Sequence, residues 1–185
     1  MWTLPNILTV VRLALVPFFA ACFYLPWRHA HMLAAALFGI AAATDWLDGY
    51  LARRLNQASR LGAFLDPVAD KLMVVIVLVL LLEARPSPWL ALPVAVIIGR
   101  EIAVSALREW MAEMGARRKV AVSWLGKVKT ALQMIALGLL VLGTGPDMPN
   151  AVFALGMLLL YVATIMTLWS MLAYLAAAWP ELREP

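Results

Sequence analysis

Apolar residues fill the chain in six long stretches, each closed by a short polar break. A helix needs about 20 mostly apolar residues to cross a bilayer, and segments at roughly 6–26, 32–54, 62–84, 88–111, 124–144 and 151–178 satisfy that length. The breaks carry turn chemistry: Pro26-Trp27-Arg28, Asn56 to Arg60, Arg85-Pro86-Ser87-Pro88, and Gly143 to Asn150 with two prolines. The pattern predicts an all-α integral membrane protein with six transmembrane helices in a single domain, residues 1–185. Met1-Trp2-Thr3-Leu4-Pro5 puts no basic stretch ahead of the first apolar run, so the first segment is expected to stay in the mature protein.

Composition agrees with the pattern. Of 185 residues, 64% are hydrophobic and 14% charged, with a mean hydropathy of +0.87. A soluble domain carries about a quarter charged residues. The net charge of +4 would suggest nucleic acid in a soluble protein. Here the bases gather in particular loops, which points to topology and anionic lipid or phosphate, with no nucleic-acid partner. Arg53, Arg54 and Arg60 lie between the second and third segments, and Arg117, Arg118 and Lys119 between the fourth and fifth. The alternate loops hold only Arg28, then Arg85, then Asp147 with no base. The positive-inside rule makes the basic loops cytoplasmic, with both termini on that side. Arg117-Arg118-Lys119 follows the amphipathic stretch from Glu109 to Ala116, and it serves either as a topology signal or as an anionic-lipid contact. Trp2, Trp27, Trp89, Trp124 and Trp179 fall near segment ends, as interfacial anchors do. The lone Cys22 allows no intrachain disulfide and reads as a small buried hydrophobe.

Chemistry enters with four aspartates set in apolar surroundings. Asp45, Asp48, Gly49 and Ala52 are three or four residues apart and share one helix face, while Gly62, Asp66 and Asp70 share a face of the next helix. A short connection makes the two helices antiparallel neighbours, so the faces are expected to oppose each other. A carboxylate in a membrane segment costs a few kcal/mol. Oxygen-only donors suit hard divalent ions such as Mg²⁺ or Mn²⁺. Two such ions clamp a pyrophosphate and neutralise a leaving oxygen. Gly49, Ala52 and Gly62 either clear space for a ligand or permit close helix packing. Arg53 carries a permanent charge suited to phosphate. A set of salt bridges with Arg53, Arg54 and Lys71 is the structural alternative, but it does not require such regular spacing. The predicted site therefore sits at the cytoplasmic end of the second and third helices.

Asp45, Asp48, Gly49, Ala52, Arg53, Gly62, Asp66 and Asp70 meet every fixed position of D-x2-D-G-x2-A-R-x8-G-x3-D-x3-D. At these residues the chain resembles the CDP-alcohol phosphatidyltransferase family. The opening Leu4-Pro5-Asn6-Ile7-Leu8-Thr9-Val10-Val11-Arg12 resembles the family's first helix. The stretches from Gly99 to Met111 and from Val120 to Thr130 resemble the bacterial branch whose acceptor is sn-glycerol 3-phosphate. The resemblance implies a six-helix fold in the bacterial inner membrane, with the active site open to the cytoplasm, and a homodimer. It implies transfer of a phosphatidyl group from CDP-diacylglycerol to sn-glycerol 3-phosphate, releasing CMP, with two divalent cations. In those terms Asp45, Asp48 and Asp66 are metal ligands, and Asp70 is both a metal ligand and the base for the acceptor hydroxyl. Gly49, Ala52, Arg53 and Gly62 line the CDP site. Asn6, Thr9 and Arg12 are within reach of the nucleotide, although capping by Asn6 and packing by Thr9 read equally well.

An acceptor with its own phosphate needs further bases. Arg100 lies deep in the fourth segment, Arg108 two turns on, and Lys127 and Lys129 enter the fifth. Buried bases in a membrane need partners. Arg100 is therefore the leading phosphate contact, with an Arg100–Glu101 ion pair and lysine snorkelling as alternatives. His29 and His31 sit away from any other metal ligand and read as interfacial. Two other functions are weighed: a sister transferase with another acceptor, and a divalent-cation transporter. The carboxylates cluster at one end with no continuous polar path across, which argues against transport. A prenyltransferase would require DDxxD pairs, which this chain lacks.

Overall fold

Among the described residues six helices follow in order: α1 (Leu4–Tyr24), α2 (Ala30–Leu55), α3 (Arg60–Ala84), α4 (Pro88–Glu113), α5 (Trp124–Gly143) and α6 (Asn150–Arg183). The structure is a computed structural model describing residues 4–55, 60–114 and 124–183, and no strand occurs among them. The six predicted segments are these helices, displaced by a few residues at their ends. The largest difference is at α6, which continues past 178 to Arg183, because apolarity marks where lipid ends and not where helical hydrogen bonding stops.

Among the described residues, three helices are long and apolar enough to cross a membrane: Ile7–Tyr24, Pro88–Glu113 and Asn150–Ala176. Among the described residues, α2 and α5 contribute the apolar stretches Ala30–Asp45 and Val128–Gly143. On α6, Leu158, Val162, Ile165, Trp169 and Leu172 form an exposed face, while Leu160, Ala163, Thr164 and Thr167 are buried. A helix apolar on its exposed face as well as its buried one belongs in lipid.

The backbone groups into two compact units, one of Met1–Pro86 with Leu137–Gly156, the other of Ser87–Ala136 with Met157–Pro185. In the first, α1 packs on α2 and α3. Its inward stripe is Thr9, Arg12, Val16, Phe19 and Cys22, and that of α2 is Ala30, Ala34, Phe38 and Ala41. These spacings of three and four keep one face of each helix inward. The antiparallel stripes meet rung by rung. Phe23 stands edge-on to His31 at 5.4 Å, Phe19 meets Phe38 at 6.3 Å, and Arg12 meets Asp45 at 2.7 Å. One end of this hairpin is therefore aromatic and the other charged.

The connections leading into α2, α4 and α6 gather at the aromatic end. Arg28 donates from Nε and Nη2 to both oxygens of Asp147, at 2.6 and 2.7 Å. The Tyr24 hydroxyl donates to Glu83 at 2.7 Å, and Thr144 Oγ1 pairs with His31 Nδ1 at 2.9 Å. Arg85 donates to the Gly143 carbonyl and lies 4.6 Å above the Phe153 ring. Gly143 has no alternative there, since a Cβ would stand 2.7 Å from the Phe153 nitrogen.

In the second unit, Leu90, Ile97, Val104 and Met111 are buried at intervals of seven along α4, with Val94 and Arg100 in the same stripe. Met111 packs with Leu107, Trp110 and Tyr174. Ser87 caps α4 by accepting from the Trp89 amide, and Pro88 occupies the first turn, where a missing donor costs nothing.

Candidate functional site

Asp45, Asp48, Gly49, Ala52 and Arg53 all fall within α2, and Gly62, Asp66 and Asp70 within α3. Helical register keeps Asp45, Asp48, Gly49 and Ala52 on one face, and Gly62, Asp66 and Asp70 on another. The side chains of Asp48, Gly49, Ala52, Arg53, Gly62, Asp66 and Asp70 lie outside the described residues, as do those of Asn6 and Lys127 and the whole of Arg117, Arg118 and Lys119.

Asp45 is described. It takes the position after Ala41 in the inward stripe of α2, and its Oδ1 accepts from Arg12 Nη1 at 2.7 Å. The pair is asymmetric: the Arg12 side chain is 2% exposed and that of Asp45 is 43% exposed. The guanidinium is thus enclosed while the carboxylate still reaches an open space. Pairing Asp45 with Arg12 went unforeseen in the sequence, where the cations weighed as partners were Arg53, Arg54 and Lys71. The signal was a single arginine in the apolar stretch of α1, which has to find an anion. Its partner is 33 residues away on a neighbouring helix, so no local spacing pointed to it. Thr9, one turn before Arg12, is fully buried.

The donor set fits a hard divalent cation. Beyond His31, neither α2 nor α3 contains a histidine or cysteine, so a cation on this face would meet carboxylate oxygen. Among the described residues no three metal-binding side chains are gathered.

A second charged cluster lies in α4, α5 and α6. Arg100 is 9% exposed and donates to Glu101 Oε1 at 2.7 Å and to Ser170 Oγ at 3.1 Å. Its Nε has no hydrogen-bond partner among the described residues. Lys129 is 5% exposed and lies in the electrostatic field of both Arg100 and Glu101. Gln133, one turn further along α5, is also buried. Two buried basic side chains thus stand near Glu101, which bonds Arg100. The Arg100–Glu101 ion pair weighed from the sequence is present, and it leaves Nε over. Arg108 is exposed, about 12 Å further along α4.

His29 and His31 border an open cavity of about 270 Å³ together with Arg28 and Asp147. Arg28 holds Asp147 well below the usual carboxylate range, chiefly through their hydrogen bonds. Trp27, Trp89 and Trp179 are exposed, and Cys22 is buried.

Fold and site together define a helical membrane protein with a carboxylate-bearing face on two consecutive helices and a buried cationic cluster. The sequence model of the CDP-alcohol phosphatidyltransferase family matches residues 2–172. The chain is 54% identical to a CDP-diacylglycerol–glycerol-3-phosphate 3-phosphatidyltransferase of Salmonella typhimurium (strain LT2), over 99% of this chain and 98% of the relative. Proteins of the same name from Pectobacterium atrosepticum and Yersinia pestis (strain Pestoides F) are 53% and 55% identical, over 100% and 98% of this chain and 99% and 98% of theirs. The chain belongs to the CDP-alcohol phosphatidyltransferase family.

Proposed function

We propose that the chain transfers the phosphatidyl group of CDP-diacylglycerol to sn-glycerol 3-phosphate, giving phosphatidylglycerophosphate and CMP. The observation that carries this reading is the complete eight-position signature on α2 and α3, in a chain 53–55% identical from end to end to enzymes named for this reaction. Asp45, Asp48, Asp66 and Asp70 would hold two divalent ions, Mg²⁺ or Mn²⁺. When bound, the ions neutralise the pyrophosphate and the departing CMP. Gly49, Ala52, Arg53 and Gly62, with Asn6 and Thr9, bind the CDP moiety. Asp70 takes the proton of the acceptor hydroxyl as its oxygen bonds to the lipid-side phosphorus and the bond from that phosphorus to CMP breaks. No serine or histidine nucleophile is required, and no covalent enzyme intermediate forms.

Arg100 and Lys129 hold the acceptor phosphate, with Lys127 and Arg108 as further bases. The burial of both basic side chains supports this assignment, as does the Arg100 Nε, which has no hydrogen-bond partner among the described residues. The domain spans 1–185 and crosses the bacterial inner membrane six times, with both termini and the active site facing the cytoplasm. Supporting that orientation, the two bases at the other end are already engaged, Arg28 by Asp147 and Arg85 by Phe153 and Gly143. Arg53, Arg54 and Arg60, toward the opposite end in the sequence, would draw that end to the cytoplasm. The enzyme works as a homodimer.

The test supplies purified enzyme with CDP-diacylglycerol and Mg²⁺ or Mn²⁺, then with glycerol 3-phosphate, inositol phosphate or serine in turn, and follows CMP release. Release with glycerol 3-phosphate is expected. Release with a different acceptor alone would move the chain to a sister activity. Mg²⁺ flux into liposomes without CMP release would make it a transporter.

A further inference from the structure

The bond between Arg12 and Asp45 has no place in the proposed reaction. Arg12 is enclosed, at 2% exposure, and it bonds the first aspartate of the signature. It sits on the inward stripe of α1 between the buried Thr9 and Val16. Asp45 closes the inward stripe of α2 in the same way. A carboxylate at a helix surface ordinarily turns about its two side-chain torsions. Here Nη1 holds Oδ1 at 2.7 Å, and 43% of the carboxylate side chain stays exposed. One oxygen is tied and the carboxylate keeps an open side.

We infer that Arg12 is a positioning residue, which holds the Asp45 carboxylate in the orientation that accepts a divalent cation. The inference rests on Asp45 being a metal ligand and assigns a function to a neighbour that does not touch the metal. Partners that orient metal-binding carboxylates commonly change affinity by about 10–100-fold when removed. A guanidinium that merely competed for the same anion would have the opposite effect, and its removal would tighten metal binding.

The test uses detergent-solubilised full-length protein and Mn²⁺ alone, with bound metal read by electron paramagnetic resonance and folding by metal-free melting temperature. Arg12→Gln is expected to weaken Mn²⁺ binding about 10–100-fold, with Arg12→Lys between Gln and the parent. Repeated in an Asp45→Asn background, Arg12→Gln should have no further effect on the remaining Mn²⁺ binding. Unchanged or tighter binding in Arg12→Gln would overturn the inference, as would an equal loss in both backgrounds. If Asp45→Asn itself leaves Mn²⁺ binding untouched, the metal reading of Asp45 fails instead, and the inference falls with it. Where Arg12→Gln yields no folded protein, Arg12→Lys decides. It keeps the charge but loses the fork, so a loss of at least about threefold confined to the Asp45 background supports the inference. No loss overturns it.

Discussion

Two guanidinium–carboxylate pairs in the same unit differ in almost everything but chemistry. Arg28 and Asp147 meet through two bonds with side chains 71% and 42% exposed, whereas Arg12 and Asp45 meet through one bond with Arg12 enclosed. The geometry of the first is better, yet its consequences are smaller. Exposed charges remain solvated and are screened by salt, so such a pair mainly ties two loops together. An enclosed charge has given up water and depends on its partner, so removing either side leaves an uncompensated ion. Arg100 belongs with the second kind: its partners are Glu101 and Ser170, and one nitrogen is left over. The quality of a bond does not mark function here. Burial sets the expected cost of losing one.

The sharpest way to press this contrast is at the reacting end. Asp70→Asn should lower CMP release by about 10²–10⁴-fold, the usual worth of a general base, while the metal-free protein melts as before. A loss below tenfold would remove Asp70 from proton transfer. Arg100→Ala comes next. Truncating one side of a buried charge pair costs about 2 kcal/mol or more, roughly 30-fold in apparent affinity. That loss should appear in the KM for glycerol 3-phosphate and not in that for CDP-diacylglycerol. An unchanged KM for glycerol 3-phosphate would break the acceptor assignment. For Lys129→Met the expected rise in the same constant is smaller, about tenfold, as for one hydrogen bond to a charged group. Rates equal to the parent's at low acceptor concentration would confine Lys129 to packing.

The exposed pair should give the smallest response. Arg28→Ala is expected to leave CMP release within about twofold of the parent, because nothing enclosed depends on it. Its pH dependence has a definite sign. Arg28 lowers the Asp147 pKa from its ordinary 3.8, so the pair stabilises the fold above that value and loses its effect as pH falls through the lowered one. Melting curves of the parent and Asp147→Asn should therefore converge in acid and separate slightly toward neutrality. A separation that widens in acid would contradict the pairing.

Much of the architecture was legible before any coordinates. Pro88 with Ser87 before it marks the start of α4, and Gly143 marks the end of α5, because caps and breakers act within a turn or two. The far end of α6 was less legible. Trp179 to Arg183 remains helical after the apolar run has ended, and periodicity in hydropathy carries no information about that. The aspartate face was readable because residues three and four apart share a helix surface in any environment. Arg12 shows where this reading stops. Its presence in an apolar helix required an anion, but any of several carboxylates satisfied the requirement.

The sequence by itself determined six helices, a membrane setting, the spacing of the signature residues along α2 and α3, and the family. All of these follow from short-range periodicity and from apolar length, which one window of residues contains. Tertiary structure decided which charges meet: Arg12 with Asp45, Arg28 with Asp147, Arg85 on Phe153, and Arg100 enclosed beside Glu101 and Ser170. Each pairing outside α4 depends on the rotation and offset of one helix against another. Those quantities are set by how buried side chains such as Phe19 and Phe38 interlock, and no stretch of sequence contains both partners.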